Sequence, residues 1–246
     1  MVYRRSKRLI YWALGIPVIV VLLMIVIVKL DQSDYYVSRA MASKAMALAL
    51  TDRTECIQSQ SSHGSHFSAA EQGEWYTKYV DYMIEGGYFE DAKQVDREFA
   101  CAPLTYGEAA YAAEQVEKGL SAALNISRKK YKDPMPREEW QLFYPSFLKR
   151  ADPEGKVEKE TLLLYGTPEN VKEAAPWTAY TDQEGTLGFE GVSLDSCIDH
   201  EIEVYARDGE MICLLAVLTD QVTYRNVWIT PGEKNRMNLY LGAIAR

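Results

Sequence analysis

The sequence predicts an α+β protein: an N-terminal transmembrane helix, a small helical domain, and a small C-terminal antiparallel β domain, a barrel or a sandwich. Three observations carry that expectation. Residues 9–28, LIYWALGIPVIVVLLMIVIV, hold no charge. Residues 35–125 are punctuated by helix-start and helix-stop chemistry. Residues 159–246 alternate apolar and polar side chains between turn signals. The expected segments are a cytoplasmic N-terminus 1–8, a membrane span 9–30, a helical domain 35–125, a connector 126–158 and a β domain 159–246.

The apolar run comes first. Twenty uncharged residues cross a hydrocarbon core of roughly 30 Å as a helix. Arg4, Arg5, Lys7 and Arg8 precede it and Asp31 follows. The positive-inside rule then keeps the N-terminus cytoplasmic and places the body outside, as a single-pass protein of the cell membrane. Tyr11 and Trp12 suit the membrane interface. A cleaved signal peptide is the rival reading, but VKLDQSDYY offers no good small-residue cleavage site. The whole chain carries 27 basic and 35 acidic residues. Residues 1–30 hold five of the basic ones and no acid, so the remainder has 22 against 35, a net of −13. So acidic a body repels phosphates, and a nucleic-acid partner is not expected.

In the helical region Ser38 caps a first helix whose small-residue face is Ala42, Ala45, Met46 and Ala49. A polar stretch rich in Ser, Gln and His, 52–66, reads as a loop. In EWYTKYVDYMIEGGYF, Tyr76, Val80, Met83 and Ile84 share one helical face, and Gly86 and Gly87 suit a helix end. A third helix opens at Thr105, where Thr105 and Glu108 form the T-x-x-E capping box and Leu104 takes the apolar staple position. In the connector, 137–149 reads as a short helix with Trp140, Phe143, Tyr144 and Phe147 on one packing face.

In the β region, HEIEVYAR sets Ile202 and Val204 on one face and Glu201, Glu203 and Tyr205 on the other. Asp208-Gly209 is a two-residue hairpin signal. WTAYTDQEGTLGF turns around Gln183–Gly185, and TYRNVWI and RMNLYLGAIA supply further strands. Five or six short strands in so few residues point to a small barrel or sandwich.

Candidate chemistry is sparse. Cys56 and Cys101 lie in one candidate domain, where a disulfide is permitted outside the membrane, and Cys213 sits in an apolar run. His63, His66 and Cys56 form a weak metal-ligand set on a flexible stretch without a carboxylate between them. Cys197 and His200, with Asp195, Asp199 and Glu201, are local neighbours at a strand edge. Glu138-Glu139 and Asp195/Asp199 are acidic pairs of the kind glycoside hydrolysis needs, but such pairs usually sit on a solvated face. Trp177 and Trp228 fall on expected strands, where core packing is the ordinary role. Asn125-Ile126-Ser127 is a glycosylation acceptor only in a eukaryotic secretory pathway. The expectation is therefore no catalytic residue, no metal site and no cofactor.

Three pieces occur in order: VSRAMASKAMALAL, FSAAEQGEWYTKYVDYMIEGGYF and FACAPLTYGEAAYAA. This order resembles the surface-layer homology domain. Phe67-Ser68, Trp75-Tyr76, Gly87, Phe99, Pro103 and Thr105 fall where that family's repeat has its Phe-Ser loop, Trp-Tyr helix, Gly, Phe, Pro and Thr-Arg-Ala-Glu start. About one full unit and the start of another are legible, over roughly 35–120, where the family usually has three. The resemblance implies binding of anionic cell-wall polysaccharide, with Arg39 and Glu108 as the ligand-binding residues carried over. The first copy, Ser-Arg-Ala-Met, lacks the acid, and Tyr106 replaces the arginine of the second. EEWQLFY, LLLYGTPENV, AYTDQEGTLGFEGVSLD and IEVYARDGEMICLLAV more loosely resemble the region ahead of the catalytic domain in membrane-anchored relatives of stage II sporulation protein D and the LytB amidase enhancer.

Together these imply a membrane-anchored, non-catalytic module of the bacterial cell envelope, working at the membrane–wall boundary. Its implied partners are the membrane, cell-wall glycan or secondary polysaccharide, and envelope proteins. The alternatives are the front part of a peptidoglycan glycan-strand hydrolase or amidase enhancer, and a sporulation or envelope scaffold that binds a protein.

Overall fold

Helix-start chemistry frames the first half of the molecule. The computed structural model describes residues 35–89, 94–124, 130–222, 227–231 and 237–241. In it Ser38, Asp52, Asp96 and Thr105 each accept from the backbone N–H three residues on. They start α1 (Arg39–Leu50), α2 (Arg53–His63), α4 (Arg97–Cys101) and α5 (Tyr106–Val116). The capping box between Thr105 and Glu108 is complete. α3 (Thr77–Glu85) ends as Gly87 turns left-handed, at φ +71°, and its N–H donates to Ile84 O. α6 (Arg137–Ala151) starts after Pro136, whose ring holds φ at −63°. The stretch 52–66, expected as a loop, is therefore largely α2. Its Asp52 cap and the burial of Cys56 hold a helix whose other side chains face or border water.

A ring of backbone hydrogen bonds ties three of these starts together. Val37 N–H donates to Met135 O at 3.2 Å, Met135 N–H to Leu104 O at 2.8 Å, and Leu104 N–H to Val37 O at 2.8 Å. β-bridges at Tyr36↔Pro136, Ser38↔Pro103 and Thr105↔Pro134 close the same three junctions. The side chains of Val37, Leu104 and Met135 are all buried. One local unit, an apolar residue followed by a helix start, thus occurs three times. The third copy lies in the stretch expected as a connector, hidden because Pro136 stands where Ser38 and Thr105 supply hydroxyl caps.

The small face of α1 lets bulky neighbours approach its backbone. Ala42, Ala45, Met46 and Ala49 share one core with Tyr79 and Met83 of α3 and with Trp140, Phe143, Tyr144 and Phe147 of α6. The fully buried Tyr144 hydroxyl donates to Ala45 O at 2.9 Å.

Strands β1 (Glu158–Gly166), β2 (Thr178–Thr181), β3 (Thr186–Gly188), β4 (His200–Arg207) and β5 (Glu210–Val222) close a barrel in the order β1-β2-β3-β5-β4. Leu162, Leu164, Ala179, Leu187, Ile202, Val204 and Met211 fill it. The β4–β5 turn is Asp208-Gly209, both left-handed at φ +52° and +75°. β6 (Val227–Pro231) and β7 (Met237–Leu241) pair antiparallel in a separate sheet.

Two expectations are corrected. The barrel is mixed, not antiparallel: β3 and β5 run parallel, in register at Gly188↔Glu210. From β3 the chain enters β4 through residues 189–199 and returns along β5 by a tight hairpin, so β5 points the way β3 does. The transmembrane helix and the single-pass membrane localisation are not supported either. Among the described residues no helix is long and apolar enough to cross a membrane. The longest, α6, has 15 residues and charged ends. The apolar run at 9–28 and the expected span 9–30 lie outside the described residues.

Helices and barrel share a packed boundary. Ile212 of β5 belongs to the helical core, and the Tyr144 and Tyr205 rings meet edge-on at 5.9 Å. The buried Arg207 Nη1 donates to Leu48 O at 3.0 Å.

Candidate functional site

Arg39 and Glu108, the residues carried over as ligand-binding, face each other. Arg39 Nε donates to Glu108 Oε1 at 2.7 Å and its Nη1 to Phe99 O at 3.2 Å, and the guanidinium lies over the Phe99 ring. Glu108 Oε2 accepts from Thr105 N–H and Oγ1. A charge-assisted pair joins two helix starts, with Arg39 Nε and Nη1 and both Glu108 oxygens engaged within the protein.

The other sequence candidates do not assemble into chemistry. His63 is exposed on α2 and reaches only Ser59 O. His66 lies between Asp81, at 3.2 Å, and Glu85, at 3.3 Å. Cys56 is buried, its thiol pushed up to about 12 by burial. Among the described residues no three His, Cys, Asp or Glu side chains are placed to hold a metal. His200 Nδ1 meets Ile198 O, while Cys197 Sγ lies beside Ser196 Oγ. The two give no nucleophile–base pair. Asp195 accepts from Thr167 and Ser193. Glu138 and Glu139 are both exposed. Cys56 and Cys101 are both free thiols. Asn125-Ile126-Ser127 and the Trp228 side chain lie outside the described residues.

A site that sequence reasoning missed lies where α2 and α3 meet the barrel. Its centre is Glu190, in the loop after β3. Oε1 accepts from Arg53 Nη2 at 2.9 Å. Oε2 accepts from Tyr79 OH at 2.9 Å and pairs with Lys78 Nζ at 2.8 Å. Its backbone carbonyl accepts from the buried Lys44 Nζ at 2.7 Å. Arg53 Nε points toward Glu210 Oε1 at 3.6 Å, too long for a hydrogen bond, and is buried without a partner.

Electrostatics separates the two acids. Burial alone would raise Glu190, but the donors from Arg53, Lys78 and Tyr79 outweigh it and hold the carboxyl below its usual range. Glu210 is raised, burial outweighing the pull of Arg53. Burial lowers Lys44 to about 8, against the opposing pull of Glu190. Burial likewise lowers Lys78, with Glu190 opposing. Two cations, Arg53 and Lys78, with the buried Lys44 behind them, thus surround one firmly ionised acid and one pushed toward its neutral form.

A cavity of about 230 Å³ opens over this cluster, lined by Arg53, Lys78, Glu190, Thr77, Trp75 and Trp177 among others. Glu74 lines the same cavity, so its charged walls balance two cations against two acids. Trp177 is 40 % exposed and holds a left-handed backbone at φ +59°, rare for a bulky residue. Its ring meets Phe189 edge-on at 5.8 Å. The Trp75 ring lies over Gly191, where a Cβ would come within 2.5 Å of it. Trp177, expected in the core, is instead a wall of this cavity. The available signal was an acid, Glu190, set between Phe189 and Gly191 in an otherwise apolar stretch. Compared with known protein families, characterised proteins and solved structures, the chain matches none.

Proposed function

We propose that this protein is a non-catalytic glycan-binding module that takes a sugar unit in the cavity between Trp75 and Trp177. The observation that carries this reading is the pairing of two tryptophans with a polar floor of Arg53, Lys78, Glu74 and Glu190. Sugar rings present apolar faces that stack on indole, while their hydroxyls and acid groups need fixed polar partners. The partly exposed Arg53 guanidinium and Lys78 supply donors in the lining. The strained Trp177 backbone costs on the order of 1–3 kcal/mol and points the same way, since strain of this kind persists where a side chain must be aimed. Hydrolysis fits less well. It needs a free carboxylate as base or nucleophile, and three donors already occupy Glu190. The resemblance to surface-layer homology repeats makes cell-wall polysaccharide the natural first ligand to try.

The test is co-sedimentation of the full chain with purified cell-wall sacculi, with and without their attached secondary polysaccharide. Binding should require the polysaccharide and weaken about tenfold in Trp177→Ala. Arg39→Ala should lower stability and leave affinity unchanged. No new reducing ends should appear. Binding that survives in Trp177→Ala but is lost in Arg39→Ala would reject this cavity as the site.

A further inference from the structure

The ring of three helix starts has one junction unlike the others. Directly after the cap positions stand Arg39, Tyr106 and Arg137; two residues further on stand Met41, Glu108 and Glu139. At two of the three junctions a first-set residue faces the second-set acid of the next unit. Arg39 pairs with Glu108, and Glu139, after burial, raises the pKa of the Tyr106 hydroxyl. The third pair is Arg137 with Met41, and there the acid is missing. Among the described residues Arg137 makes no ion pair; its Nε reaches only Tyr36 O, at 3.4 Å.

A cavity of about 150 Å³ opens at this same junction, between α1, α6 and β5. Its walls include Met41, Ala45, Trp140, Tyr144, Tyr205 and Ile212, and Arg137 is the one formally charged residue among those that line it. The Tyr144 hydroxyl is already spent on Ala45 O and the side chain is fully buried, so that residue backs the cavity wall. Trp140 stacks on Tyr144 at 5.5 Å, making an aromatic floor. A cavity of this size with walls this apolar holds about one benzene-sized group better than it holds water. The barrel supplies one wall and the ring supplies the cation, so neither half has the site alone.

We infer that this cavity is a second binding site, for a small carboxylate carrying a ring-sized apolar group. The apolar group lies on the Trp140–Tyr144 floor, and the carboxylate takes the guanidinium of Arg137, whose planar fork matches it with two parallel hydrogen bonds. A cation is disfavoured by Arg137 and by the lack of any acid in the lining. A neutral apolar molecule fills the space and leaves the charge unanswered. The site is independent of the glycan reading, with which it shares no lining residue.

The test uses the full chain and two probes of one shape, 3-phenylpropionate and the neutral 3-phenylpropanol, titrated by calorimetry. The acid should bind at least about tenfold more tightly than the alcohol, as a charged hydrogen-bonded contact gives. Arg137→Gln, at an exposed position whose fold is checked by melting, should bind the two equally. Met41→Glu restores the acid that the other junctions have; it should fold, pair with Arg137 and also lose the preference. Failure of both probes to bind would overturn the inference. So would equal binding by the wild type, or a preference for the acid that survives in Arg137→Gln.

Discussion

Lys44 shows what one buried charge does to the molecule. The residue is 1 % exposed and its pKa is lowered to about 8 from 10.5, burial being the main cause. Between those values the unfolded chain binds the proton more tightly than the folded one. The Lys44 contribution to stability should therefore rise with pH from about 8 to 10.5 and be lost again as pH falls through 8. The thiols of Cys56 and Cys213, pushed up to about 12 by burial, act the other way above about 9, so the Lys44 part is read as the difference between wild type and Lys44→Met. The increment should reach about 3 kcal/mol and be missing in Lys44→Met, as read by urea unfolding at a series of pH values. Glu190→Ala should cost about 3 kcal/mol or more by the same measurement, since it takes the acceptor from the buried Lys78 ammonium and the buried Tyr79 hydroxyl. At this scale legibility follows sequence distance. The Thr105–Glu108 box is readable because its partners are three residues apart. The Glu190 cluster is not, because Arg53, Tyr79 and Lys44 lie 137, 111 and 146 residues away from it. Only the fold brings them together.

Among elements, helix starts, glycine stops and the Asp208-Gly209 hairpin were legible because each is decided within a few residues. α2 was not: its composition is that of a loop, and the Asp52 cap with one buried face decides otherwise. The parallel β3–β5 closure was hidden because β3 has only three residues and a single paired position with β5. Gly191 marks where an element meets the glycan cavity. It sits at φ +83° under the Trp75 ring. Gly191→Ala should cost roughly 1–2 kcal/mol in a thermal melt, from the left-handed backbone alone. It should also push Trp75 aside and weaken polysaccharide binding, whereas Gly155→Ala, left-handed in open space, should cost stability only.

For the whole molecule, the sequence separates a helical half from a β half, yet the two share Ile212, the Tyr144–Tyr205 contact and the Arg207–Leu48 hydrogen bond. They should therefore unfold together. Far-UV and near-UV circular dichroism should trace one coincident transition in urea. Arg207→Met should shift its midpoint without splitting it, because the removed donor leaves one buried carbonyl, Leu48 O, in need of a partner. Two separated transitions would show that each half stands alone. The sequence could not announce this union, because the residues that make it are ordinary core and strand residues in their own segments.

The triangle of Val37, Leu104 and Met135 is built from main-chain groups alone. Its closure does not depend on which side chains stand beside it. A unit present in triplicate therefore carries redundancy: two copies can keep their cross-links while the third drifts. Met41 stands where the other two copies have Glu108 and Glu139, and it makes one of three nominally equivalent positions distinguishable. A molecule assembled from repeats thereby acquires a single orientation, with one corner that a partner can tell from the other two.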